Sequence, residues 1–143
     1  MKILFICRGN VGRSQIAEHI FNSLTTEHTA ISAGTRVINR EGNSVDGEKI
    51  ATIELAKPVI DTLAEIDLDA TEATRTQLTP ELLASADIVV SMAEPATHPG
   101  YLNEREDLIT WEIEDPKGFN LEQTGEIRDQ IADNVKTLLN TII

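Results

Sequence analysis

Lys2-Ile3-Leu4-Phe5-Ile6-Cys7-Arg8-Gly9-Asn10-Val11-Gly12-Arg13-Ser14 joins an unbroken apolar run to a loop with two glycines, and the loop runs into a segment of helical periodicity. In Lys2–Ile6 the apolar side chains follow one another without alternation. Both faces of such a strand must be covered, which is the pattern of a parallel strand inside an α/β fold. From Ser14 to Leu24, Ile16, Ala17, Ile20, Phe21 and Leu24 fall on one face at helical spacing. Strand, glycine loop and helix are thus the opening half of a βαβ unit.

The same alternation continues outward. Thr29–Ser32 reads as a second strand closed by Ala33-Gly34, and Thr35–Gly47, with turn formers and little periodicity, as a long loop or a lid. Pro58 begins a helix with Val59, Leu63 and Ile66 on its apolar face, and Thr79-Pro80 is a cap followed by proline in the first turn. Ala86–Met92 and Leu108–Ile113 read as a third and a fourth strand. A final helix carries Ile127, Ile131, Val135, Leu138 and Ile142 on one stripe. The expectation is a single domain over residues 1–143, a three-layer α/β fold with a four-stranded parallel sheet flanked by helices. Ligands of such sheets bind beyond the carboxyl ends of the strands, where Cys7 lies.

The chemistry of residues 7–14 follows from their types. Gly9 and Gly12 permit a curled backbone whose N–H groups converge as an anion nest. The helix beginning near Arg13 directs its positive end to the same point. Arg13 offers a planar fork to two oxygens of a tetrahedral anion. The same groups favour a thiolate at Cys7 over a thiol. The loop has no lysine for a nucleotide P-loop and too few glycines for a dinucleotide fingerprint. Cys7 therefore reads as a nucleophile toward a phosphate-like oxyanion, within a loop whose Arg8, Gly9, Asn10, Val11, Gly12 and Ser14 form the binding cup.

Composition narrows the class. There are 24 acidic against 12 basic side chains, a formal net charge of −12. Such a surface repels nucleic acid and anionic membrane, so an anion site has to be locally positive. The excess suits an ordinary acidic protein and a salt-adapted surface alike. Cys7 is the one cysteine, which excludes an internal disulfide and suits a reducing compartment. The apolar start is too short for a secretion signal, and no stretch is apolar enough to span a bilayer. The expectation is a cytoplasmic protein. His19, His28 and His98 lack metal-ligand spacing, so neither a metal nor a cofactor is expected.

Residues Cys7 to Ser14 resemble the signature Cys-x-Gly-Asn-x-x-Arg-Ser of the low-molecular-weight protein tyrosine phosphatases and their relatives, the thiol-dependent arsenate reductases. Ser32-Ala33-Gly34-Thr35, Gln77-Leu78-Thr79, Ala86–Met92 and Asp115-Pro116 continue the likeness in the family's order. The resemblance implies that Cys7 attacks phosphorus to form a phosphocysteine, and that Arg13 and the loop amides bind the equatorial oxygens. It further implies that Ser14 donates to the Cys7 sulfur and that Asn10, in a left-handed conformation, braces the loop. Asp115 would be the general acid and then the base, its turn fixed by Pro116.

The sequence departs from the phosphatase pattern at the walls. Arg36-Val37-Ile38-Asn39 has no aromatic residue, and Lys117-Gly118-Phe119 stands where a tyrosine is common, leaving Phe119 as a candidate wall. Glu72-Ala73-Thr74 stands where a bracing histidine is frequent. Trp111 is similar to the reductase branch, or is simply a partly buried strand aromatic. The expected activity is hydrolysis of phosphotyrosine or a related aryl phosphate, with a phosphorylated protein or small aryl phosphate as partner. The alternative is arsenate reduction with an external thiol or redox protein, and a third reading is a non-catalytic oxyanion-binding module.

Overall fold

Four parallel strands form one sheet in the order β2-β1-β3-β4, in a computed structural model that describes residues 1–142. The strands are β1 (Lys2–Cys7), β2 (Thr29–Gly34), β3 (Ile88–Ser91) and β4 (Ile109–Thr110). The helices are α1 (Arg13–Leu24), α2 (Lys57–Ala64), α3 (Pro80–Ala84), α4 (Gly100–Asn103) and α5 (Leu121–Ile142). β1 sits in the middle of the ladder, paired with β2 on one side and β3 on the other.

The unbroken apolar run of β1 is explained by two separate cores. Ile3 and Phe5 face a large cluster with α1, α2 and α5, including Ile16, Phe21, Leu63, Ile131 and Val135. Leu4 and Ile6 face the opposite cluster, with Leu78, Leu83, Val89 and Leu102 around α3 and α4. All four β1 residues are fully buried. Each contributes about 1.5–3 kcal/mol of burial, and together they fix Cys7 at the end of the strand.

Several boundaries differ from the sequence reading. β2 runs on to Gly34, which pairs with Cys7. The fourth strand is much shorter than Leu108–Ile113: Trp111 still donates to the Ser91 carbonyl at 2.9 Å, but the Ile113 carbonyl is turned away to accept from Arg13. α2 ends before Ile66, which is 40% exposed rather than on the apolar face. Asp67 takes a left-handed φ of 62° there, the chain reverses, and Leu68 packs on the core instead. Thr35–Gly47 is the long loop expected, folded back on itself and tied at several points. Its turn is closed by an Ile38–Ser44 bridge and by Asn39 accepting from the Glu41 and Asn43 amides. Its ends are held by Arg36 N–H to the Arg8 carbonyl and Gly47 N–H to the Arg75 carbonyl. No described helix is long and apolar enough to cross a membrane.

Candidate active site

Cys7 lies at the floor of a cleft of about 520 Å³, and residues 8–13 curl around it. Among the described residues, no protein acceptor takes any backbone N–H from Arg8 through Ser14. α1 begins at Arg13 with no side-chain cap and no acidic residue in its first turn. Its terminal donors and the positive end of its dipole therefore face the cleft. The loop amides are left free, as a nest requires. Asn10 is the left-handed residue, at φ 56°, as the resemblance implied. Gly12 lies outside the ordinary regions at φ −107°, ψ −89°, and Gly9 has no positive φ.

A chain of short hydrogen bonds supports the sulfur from behind. Cys7 Sγ is 2.9 Å from Ser14 Oγ. Asn10 Nδ2 donates to Ser14 Oγ at 2.8 Å and to Ser32 Oγ at 3.0 Å, and Ser32 donates to Glu18 at 3.0 Å. These directions leave the Ser14 hydroxyl proton for the sulfur, since its oxygen is already accepting from Asn10. Burial pushes the Glu18 carboxyl above its ordinary pKa, a rise reduced by the Ser32 hydrogen bond and the neighbouring His19. The other side of Asn10 is held by the Thr76 amide at 2.7 Å and the Gln15 side-chain amide at 3.3 Å. These groups brace the asparagine where the sequence offers no histidine.

Arg13 is buried to 2% exposure, and its guanidinium is fully engaged on its inner edge. Nη1 donates to the Met92 and Ile113 carbonyls at 2.6 and 3.0 Å and to Glu94 at 2.8 Å. Nη2 lies 3.5 Å from the other Glu94 oxygen and 3.9 Å from Asp115 Oδ2. Burial by itself lowers the Arg13 pKa. The Glu94 hydrogen bond and the charges of Cys7, Glu94 and Asp115 outweigh it, so the guanidinium is held above its ordinary value. The same hydrogen bond from Arg13 draws the Glu94 carboxyl below the usual glutamate range. Asp115 stands at the mouth, half-exposed, its Oδ1 accepting from the Lys117 amide at 3.0 Å while Pro116 lines the cleft.

Sequence reasoning missed four supports. Glu94 orients Arg13. Arg75 donates from Nε to the Gly9 carbonyl at 3.0 Å and pairs with Glu48 at 3.0 Å. Gln77 ties the Gly34 and Thr35 carbonyls to the Val37 amide. Gly34 lets β2 approach the loop: a Cβ there would stand 2.7 Å from the Arg8 carbonyl and 2.9 Å from the Asn10 nitrogen. Gly34 and Gln77 lay within quoted landmarks. Glu94 and Arg75 carried no signal, because only the fold brings them to the loop.

The walls differ from the expected ones. Phe119 packs on the main core and does not line the cleft. Trp111 lies with its ring centroid 5.7 Å from that of Phe5, a partly buried core aromatic. The lining is instead Ile38, Ile53, Leu55 and Val59 with a set of arginines and a lysine. His19 is half-buried on α1 and bonded to the Gln15 carbonyl, His28 meets the terminal amine, and His98 contacts Ser91. No group of three or more potential metal ligands occurs among the described residues.

Comparison with known proteins gives a consistent picture. A putative arsenate reductase of Halobacterium salinarum is 27% identical over 139 residues, covering 97% of this chain and 91% of that protein. The crystal structure of a low-molecular-weight protein tyrosine phosphatase from T. tengcongensis superposes with a TM-score of 0.80 at 24% identity, covering 99% of both chains. An arsenate reductase in its phosphate-binding state superposes with a TM-score of 0.75 at 23% identity, covering 99% of this chain and 98% of that one. The family model for low molecular weight phosphotyrosine protein phosphatase matches residues 2–143, and the chain belongs to that family.

Proposed function

We propose that this protein is a cysteine-dependent phosphatase acting on phosphotyrosine or a related phosphomonoester. The observation that carries the reading is the cup itself. Unpaired amides from Arg8 to Ser14 and the Arg13 guanidinium surround a single thiol that is hydrogen-bonded to Ser14. The Cys7 sulfur attacks phosphorus, forming an S–P bond as the ester P–O bond breaks. Asp115 gives its proton to the departing oxygen. Water then attacks the phosphocysteine with Asp115 taking its proton, the S–P bond breaks, and inorganic phosphate leaves. The amides and Arg13 stabilise the equatorial oxygens in both steps. Arg8, Gly9, Asn10, Val11, Gly12 and Ser14 form the substrate cup, and no cofactor takes part.

The second reading, arsenate reduction, is favoured by one feature: the cleft has no aromatic side chain to stack on a ring. A reductase would draw its further thiols from a small thiol or redox protein, because Cys7 is the chain's sole cysteine. Hydrolysis of p-nitrophenyl phosphate separates the two. The phosphatase reading expects turnover abolished by Cys7→Ser and slowed about 10²–10⁴-fold by Asp115→Asn. Thiol-dependent arsenate turnover without ester hydrolysis would replace it with the reductase, and oxyanion binding without either turnover would leave a binding module.

A further inference from the structure

Charge is distributed unevenly over this chain. Six of its twelve lysines and arginines, Arg8, Arg13, Arg36, Arg40, Arg75 and Lys117, line the one cleft. Arg13 and Arg75 are committed to Glu94 and Glu48. Arg8, Arg36, Arg40 and Lys117 make no ion pair among the described residues. Outside the cleft, four of the six cations, Lys49, Lys57, Arg105 and Arg128, are each paired with a carboxylate, while Lys2 and Lys136 make no ion pair among the described residues; inside it, two of six are paired. With 24 acidic side chains available, the cleft cations do not lack partners for want of acids.

The fold places these charges at the rim. Arg36 and Arg40 belong to the tied-back loop after β2, whose Arg36 amide is bonded to the Arg8 carbonyl. Lys117 is set by the turn in which its amide bonds Asp115. All three are exposed. The phosphate cup already has the loop amides and Arg13. The rim cations border the space through which the remainder of a substrate must leave the cup, and they share its lining with Ile38, Ile53 and Leu55. Mutual repulsion among such cations is relieved by an anion.

We propose that the physiological ligand carries a second anionic group beyond its phosphoryl group, held by Arg36, Arg40 and Lys117. This deepens the phosphatase reading and rests on it for the word substrate. The shared chemistry is a phosphomonoester with a nearby carboxylate or second phosphate. It could come from a small polyanionic metabolite or from an acidic phosphopeptide.

The test is binding of matched, non-hydrolysable ligands to the intact protein by calorimetry. 3-Phosphonopropionate is compared with propylphosphonate, and acidic with neutral peptides carrying phosphonomethylphenylalanine. At least one member of the charged sets is expected to bind about tenfold tighter than its neutral match, a difference of about 1.4 kcal/mol, and the gain should shrink with ionic strength. R36A/R40A/K117A, checked for native circular dichroism, should bring the paired affinities within about twofold. A gain only in the phosphonocarboxylate identifies a small molecule, and a gain in the peptide an acidic protein segment; either supports the proposal. Equal affinities in both pairs, or a gain that survives the triple variant, overturns it. Failure of the catalytic reading shows separately, as absent p-nitrophenyl phosphate turnover with the charge preference intact.

Discussion

Asn10→Ala removes the residue on which the whole cup turns. Asn10 is fully buried and left-handed at φ 56°. Alanine in that conformation costs about 1 kcal/mol. The substitution also strips the Thr76 amide of its 2.7 Å acceptor, costing about 1 kcal/mol for a partly buried donor. Ser14 and Ser32 each lose a donor but keep a second partner, Cys7 and Glu18, so together they add about 1 kcal/mol. The sum is about 3 kcal/mol. Asn10→Gly removes the same hydrogen bonds without the left-handed cost, and should lose about 2 kcal/mol. Urea unfolding followed by Trp111 fluorescence measures both, because the single tryptophan lies against Phe5 in the core. An Asn10→Ala variant within about 1 kcal/mol of the parent, or a glycine variant less stable than the alanine one, would refute this role for Asn10.

Three further substitutions probe the loop and its supports. Gly34→Ala forces a Cβ to within 2.7 Å of the Arg8 carbonyl and 2.8 Å of Val37, and should cost about 1–3 kcal/mol in urea unfolding with a loss of phosphate affinity. Gly9→Ala, whose Cβ would meet only the flexible Arg75 head at 3.5 Å, should cost less than about 1 kcal/mol, and the reverse order would contradict the packing account. Glu94 has a folded pKa below its ordinary 4.5, so its contribution is complete above that value and is lost as pH falls through the depressed one. Its carboxylate is 50% exposed and solvent screens the pair, leaving about 0.5–1 kcal/mol. Stability titrated from pH 6 to pH 2 should fall less steeply in Glu94→Gln, and a slope as steep as the parent's would refute the assignment.

What was legible in the sequence was local. The apolar run of β1, the periodicity of α1 and α5, and the Thr79-Pro80 cap of α3, whose Thr79 hydroxyl accepts from Leu82, each follow from adjacent residues. The Cys7–Ser14 contact was legible through the family resemblance instead. Edges were less legible because tertiary demands override them. β4 ends early because the Ile113 carbonyl is needed by Arg13, 100 positions away in the chain. Asn10 supplies the left-handed turn, as the family resemblance implied, and its side chain reaches Ser14, Ser32 and the Thr76 amide at once.

The site's electrostatics were the least legible part, for a physical reason. A net charge of −12 averages over the surface, whereas an anion responds to the charges within a Debye length of it. Arg8 and Arg13 sit in the motif, but Arg36, Arg40, Arg75 and Lys117 come from three other segments, brought together by the Cys7–Gly34 register and the turn after β4. Arg75 and Arg13 have acids of their own in Glu48 and Glu94, but no carboxylate pairs with Arg36, Arg40 or Lys117 among the described residues, and of the cleft-lining residues Asp115 alone is acidic. The remainder of the molecule repels anions while this groove attracts them. An anionic ligand is therefore guided by a gradient that begins outside the cup. Association rates for phosphate-bearing ligands should then fall with salt more steeply than the overall charge alone suggests, with the steepest dependence for ligands carrying two anionic groups.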